Sequence, residues 1–152
     1  MNLKKIHFVI DKTTKDETFR KILLKRYRNY SPKQSNVIVV IGGDGFMLET
    51  LKKYRKYKRP FYGMNRGTFG FLMNKFKTKN IKKSISKAKP VLISALEMHA
   101  ITKGNIKKFA IAINEVSLLR QSRQAASLRI LNGKKILIKK LIGDGVLVST
   151  PA

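Results

Sequence analysis

At 152 residues, 43% of them hydrophobic, the chain can bury a real core and is not a disordered polyelectrolyte, despite a formal charge of +26. The absence of cysteine excludes disulfides and thiolate chemistry. No apolar run approaches the ~20 residues that span a bilayer, and the basic N-terminus carries too short an apolar run for a signal peptide, so a cytoplasmic protein with no membrane partner is expected.

The first half alternates strand and helix. Residues 6–10, "IHFVI", read as a buried strand. Thr14 with Glu17 three residues later has the spacing of a capping box. Phe19, Ile22, Leu23, Tyr27 and Tyr30 then recur at helical spacing until Ser31-Pro32 ends the run. Residues 37–41, "VIVVI", are five β-preferring residues in succession, as in a strand covered on both faces. After a glycine-rich turn, Met47, Leu48, Leu51 and Tyr54 mark a helical face that stops before Pro60, and "PFYGMN" reads as a third strand. This order predicts a parallel, Rossmann-like sheet.

The densest basic run, "KKYRKYKR" at residues 52–59, interleaves six cations with two tyrosines. Its place at the end of a helical pattern makes it a solvated helix end, where cations suit the macrodipole. Lysines elsewhere are spread over the whole chain, so no specific nucleic-acid partner is expected, although so high a charge suits anionic ligands in general.

After a helix over residues 80–89, the pattern changes to extended, turn-separated apolar runs. One pair of runs is joined through Gly104-Asn105, and another, "ASLRILNGKKILIKKL", through Asn132-Gly133, read as a type I′ hairpin turn. The expected fold class is therefore α/β: a parallel-sheet domain over residues 1–95, then the start of a β-rich, sandwich-like domain over 96–152. That second domain looks unclosed, so the chain is expected to be an N-terminal portion, or to be completed by another chain.

Only eight acids occur, and three sit in distinctive settings. Asp44 lies in "IGGDGFMLET", where Gly42, Gly43 and Gly45 would let a backbone and a helix N-terminus approach a phosphate. An acid there repels phosphate unless it has separate work to do. It could take a proton from a hydroxyl, engage a metal that accompanies a nucleotide, or cap the helix. In "GMNRGTFGFLMN", Gly67 and Gly70 bracket Thr68-Phe69 in a tight turn, or in an ordinary one with Phe69, Phe71 and Leu72 in the core. Asn114-Glu115 interrupts an apolar run, and such a pair can read an adenine edge and ribose hydroxyls, or simply face water. Asp144 again stands between glycines, in "GDGVLVSTP". His7 and His99 are isolated, with no spacing for a metal cage.

Taken in order, "GGDG", "GMNRGTFGFL", "NE" and "GDGVLVSTP" resemble the motif series of the NAD kinase family, over roughly residues 37–152. The resemblance implies a two-domain kinase that moves the terminal phosphate of ATP, or of polyphosphate, to the 2′-hydroxyl of the adenosine ribose of NAD, giving NADP. It places the hydroxyl-activating aspartate at Asp44 and nucleotide or substrate contacts at Gly42, Gly43, Gly45, Gly67, Thr68, Asn114, Glu115, Asp144 and Ala152. It also implies Mg²⁺ carried by the ATP phosphates, with no metal site on the protein, and a homo-oligomer. The family pattern continues after "STP" with Gly-Ser-Thr-Ala-Tyr, whereas this sequence stops at Ala152. A basic residue often precedes the last aspartate by two positions, where this chain has Ile142, and Arg66 stands at a frequently apolar place. Two alternatives remain: a diacylglycerol-kinase-like lipid kinase sharing the glycine loop, and a non-catalytic basic fragment.

Overall fold

A computed structural model of the chain describes residues 5–12, 17–66, 70–77 and 79–150. The chain divides into two compact units, Met1–Val91 and Leu92–Ala152.

The first unit is built on a parallel sheet of four strands in the order β1-β2-β3-β4: β1 (Ile6–Ile10), β2 (Val37–Gly42), β3 (Phe61–Asn65) and β4 (Asn74–Lys75). The unbroken apolar run of β2 makes it an interior strand. Val37, Val39 and Ile41 point into one core cluster with Phe8, Phe19, Leu23 and Ile81, while Ile38 and Val40 face a second with Met47. Each of these five β2 side chains is at most 1% exposed, and burial of that kind contributes about 1.5–3 kcal/mol per residue. Helix α1 (Glu17–Arg26) covers the first face through Phe19 and Leu23, one helical turn apart. Helix α2 (Asp44–Tyr54) covers the second, and helix α3 (Ile81–Lys87) adds Ile81 and Ile85 to the first.

Three details depart from the sequence pattern. Helix α1 ends at Arg26 rather than at Ser31-Pro32, because the following segment pairs with the edge strand β1. Asn29 Oδ1 accepts from the Phe8 N–H at 2.9 Å, and the Tyr30 N–H donates to the Ile6 carbonyl at 2.9 Å. Ile22, assigned to the apolar face, is 57% exposed. Thr50 in α2, outside the face marked by Met47, Leu48, Leu51 and Tyr54, is also buried, its hydroxyl donating to the Phe46 carbonyl at 2.7 Å. The capping-box residue Thr14 lies outside the described residues.

The basic run behaves as expected of a helix end. After Tyr54 the chain tightens into a 3-10 turn, Arg55–Tyr57, and Lys58 closes it in the left-handed conformation at φ 49°. Lys53 and Lys56 lie over the Tyr54 and Tyr57 rings, which occupies those rings within the chain. His7 is a strand residue, its Nδ1 2.7 Å from the Tyr30 carbonyl.

The second unit consists of three antiparallel pairs: β5 (Leu96–Ile101) with β6 (Lys107–Ala112), β7 (Glu115–Leu119) with β10 (Gly145–Ser149), and β8 (Ala126–Asn132) with β9 (Lys135–Gly143). The β8–β9 hairpin forms where Asn132-Gly133 predicted one, but its turn is shifted by a residue. Asn132 pairs with Lys135, so Gly133 and Lys134 are central, and only Gly133 has positive φ, at +58°. That is the II′ arrangement of φ signs, with glycine first, rather than I′. Apolar side chains such as Ile101, Leu119 and Ile142 stand exposed on these ladders, and Ile113 is the unit's one buried hydrophobic residue among those described.

Candidate functional site

Parallel pairing brings the carboxyl ends of β1, β2 and β3 side by side. Beyond β1, the Asp11 N–H donates to the Ile41 carbonyl at 2.9 Å, and beyond β3 the Arg66 N–H donates to the Gly42 carbonyl at 3.1 Å. Asp11, the loop 42–45, Asn65 and Arg66 therefore share one edge of the sheet, where ligands enter open α/β folds. Asp11, Asn65 and Arg66 were not singled out from the sequence as site residues. The signal that could have found them is that each ends or directly follows a strand parallel to β2.

The three loop glycines differ in what demands them. A side chain on Gly42 would strike Phe46 Cδ1 at 2.8 Å and Asp11 Cβ at 3.1 Å, so Gly42 is a packing requirement. Among the described residues, a Cβ on Gly43 or Gly45 would meet nothing within 4 Å. The described residues leave open space above both, next to the first-turn N–H groups of α2 that a helix leaves without intrahelical partners.

Asp44 is half-buried and is the first residue of α2. The cap position belongs to Gly43, which makes no side-chain cap bond. The Asp44 carboxylate instead reaches across to the turn after β3: the Phe71 N–H donates to Oδ2 at 2.7 Å and the Leu72 N–H to Oδ1 at 3.2 Å. The first and second glycine motifs thus meet at this one side chain. Gly67 and Thr68 lie outside the described residues, as does Ala152. Phe71 is not in the core but fully exposed, at 101%, whereas Leu72 packs on the Ile38–Val40 cluster.

Arg66 is held between two rings, its guanidinium 4.9 Å from the Phe19 centroid and 5.1 Å from that of Phe76. This is the packing of a planar cation on aromatic faces. Burial pushes the phenol of Tyr62, on β3, above its ordinary value. Among the described residues, no three His, Cys, Asp or Glu side chains converge as metal ligands.

In the second unit, Asn114 and Glu115 are exposed at the start of β7. The Asn114 carbonyl accepts from both the N–H and the hydroxyl of Thr150, at 2.8 and 3.1 Å. Asp144 lies just before β10, its carboxylate 2.5 Å from Arg120 Nε. Because Ser149 pairs with Glu115 and Gly145 with Leu119, the Asn114-Glu115 pair and Asp144 occupy opposite ends of one ladder. At strand rise, five residues separate Glu115 from the level of Asp144, about 17 Å. The structure therefore brings Glu115 together with Ser149, Asn114 together with Thr150, and Asp144 together with Arg120.

A parallel sheet whose interior strand runs into a glycine loop and a helix N-terminus, with an acid inside the loop, defines an α/β protein of the class that receives ligands at the carboxyl ends of its strands. Residues 3–89 match the family profile described as the ATP-NAD kinase N-terminal domain. The chain is 43% identical over 147 residues to an NAD kinase of Brucella suis, covering 97% of this chain and 57% of that protein. It is 46% identical over 133 residues to an NAD kinase of Caulobacter vibrioides, covering 88% and 51%. In fold it is similar to yeast NADH kinase crystallised with NADH, at a TM-score of 0.74 and 20% identity over 97% of this chain and 57% of that one. An NAD kinase from Archaeoglobus fulgidus in complex with ATP gives 0.58 at 22% identity, over 95% and 60%. The chain belongs to the NAD kinase family, and it spans a little over half the length of these relatives. No described helix is long and apolar enough to cross a membrane.

Proposed function

We propose that this chain is the part of an NAD kinase that carries the phosphate loop and the proton acceptor. In this reading ATP, or polyphosphate, donates its terminal phosphate to the 2′-hydroxyl of the adenosine ribose of NAD, and the product is NADP. Asp44 accepts the hydroxyl proton as the oxygen–phosphorus bond forms. Open space over Gly43 and Gly45 admits the phosphates to the N–H groups at the start of α2. Mg²⁺ enters on the nucleotide phosphates and neutralises part of their charge, so the chain needs no metal cage. Asn114 and Glu115 contact NAD, and so does Asp144, in this protomer or in a neighbouring one of a homo-oligomer.

The observation that supports this best is the loop itself: an acid in the first helical turn, flanked by two glycines whose missing side chains no described residue requires. Catalysis of phosphoryl transfer rests mainly on positioning and charge neutralisation, and this loop supplies both with little added machinery. The test is NADP formation from NAD, Mg²⁺ and either ATP or polyphosphate. It is run on this chain and on one extended through the Gly-Ser-Thr-Ala-Tyr segment of the family. NADP from either chain supports the reading and identifies the donor; no NADP from both refutes it.

A further inference from the structure

We infer that the turn at residues 70–72 is a clamp that positions the Asp44 carboxylate, and that Gly70 is the positioning residue that lets it close. The inference rests on the reading of Asp44 as proton acceptor, but its geometry stands by itself. Two successive backbone N–H groups aim at one carboxylate, one at each oxygen, at 2.7 and 3.2 Å. Such a pair makes a small anion-binding concavity, and bonds to a charged acceptor are stronger than those to a neutral one. With one donor on each oxygen, the torsions of the short Asp side chain are fixed.

The clamp leaves the base usable. An ionised carboxylate has about four lone-pair sites, and the clamp occupies two. Each oxygen keeps one for a substrate hydroxyl, so the group can be held and can still accept a proton.

Gly70 explains why the turn comes so close. A Cβ there would lie 3.0 Å from Asp44 Oδ1, 3.0 Å from Asn65 Nδ2 and 3.3 Å from Met73 Cβ. Relief would require Asp44 to move, and Asp44 is the group being held. The apex of the turn is not anchored by its own aromatic side chain, since Phe71 is fully exposed. Its neighbours Leu72 and Met73 pack on the Ile38–Val40 cluster, so the core of the first unit supports the clamp from below. The "GFL" of the second motif and the "D" of the first thus act together, 27 residues apart.

The experiment is amide-resolved NMR on the 152-residue chain, with Asp44→Asn, Gly70→Ala and Phe71→Ala compared to the parent. In Asp44→Asn, the Phe71 and Leu72 amide resonances move and their hydrogen exchange quickens about tenfold or more, while the β2 amides stay in place. Gly70→Ala moves the same two amides although the carboxylate is intact. Phe71→Ala, which keeps the N–H, does not. If Gly70→Ala fails to fold, shown by loss of the β2 pattern, Asp44→Asn still decides. Phe71 and Leu72 amides that ignore Asp44→Asn overturn the clamp.

On whichever chain forms NADP, Gly70→Ala lowers kcat on the order of 10²-fold with the KM for NAD nearly unchanged. An unchanged kcat overturns the positioning role. NADP formation by the parent is read separately, so failure of the kinase reading and failure of the clamp give different results.

Discussion

The loop glycines give opposite predictions for the same substitution three residues apart. Gly42→Ala forces a methyl group against the Phe46 ring at 2.8 Å and the Asp11 side chain at 3.1 Å, at the buried last residue of β2. Overpacking of this kind costs about 1–3 kcal/mol. Gly45→Ala meets none of the described residues within 4 Å and lies in the first turn of α2, where alanine replaces the poorer helix former and stabilises by about 0.5–1 kcal/mol. For a unit of 91 residues, 1 kcal/mol moves Tm by about 4–8 °C, so the two variants should melt on opposite sides of the parent. Titration calorimetry with ATP and with NAD then separates stability from binding: Gly45→Ala, though the more stable protein, loses affinity for at least one of them by about tenfold or more. Undiminished binding by Gly45→Ala would refute the assignment of that space to a ligand. A Gly42→Ala variant as stable as the parent would refute the packing argument.

Three further outcomes follow from the geometry. Ile81→Ala removes a wholly buried side chain from the first core and should cost about 2–5 kcal/mol in denaturant unfolding. Burial raises the Tyr62 phenol above its ordinary value of 10.0, so the unfolded chain releases that proton first. Stability is then intact below pH 10 and falls as pH rises through the folded value. Tyr62→Phe should abolish that part of the alkaline loss, and identical alkaline profiles for parent and variant would contradict the burial argument. Asp144→Ala breaks the Arg120 ion pair, but the Asp144 side chain is 73% exposed, so unfolding should shift by less than about 1 kcal/mol.

What the sequence disclosed was local or periodic. The run 37–41 announced an interior strand because covering both faces removes the need for alternation, and the glycine loop followed it directly in the chain. Asn132-Gly133 marked a hairpin correctly in place but not in type, since the turn type is set by which residues pair across the strands, here Asn132 with Lys135. The early end of α1 was hidden because it depends on the edge of β1, which Asn29 and Tyr30 satisfy from more than twenty residues away. The reach of Asp44 to Phe71 and Leu72 had no sequence spacing to betray it. Both motifs looked like turns, and only parallel pairing of β2 with β3 sets them side by side. Arg66 stood out merely as an unusual residue for its place, and its seat between Phe19 and Phe76 joins three segments that no periodicity connects.

The role of Asp44 is tested most directly by separating binding from chemistry in Asp44→Asn, on the chain that forms NADP. If Asp44 is the proton acceptor, NAD and ATP still bind within a few-fold of the parent, while kcat falls about 10²–10⁴-fold, the usual worth of a positioned general base. An Asp44→Asn enzyme that turns over at the parental rate would contradict that role.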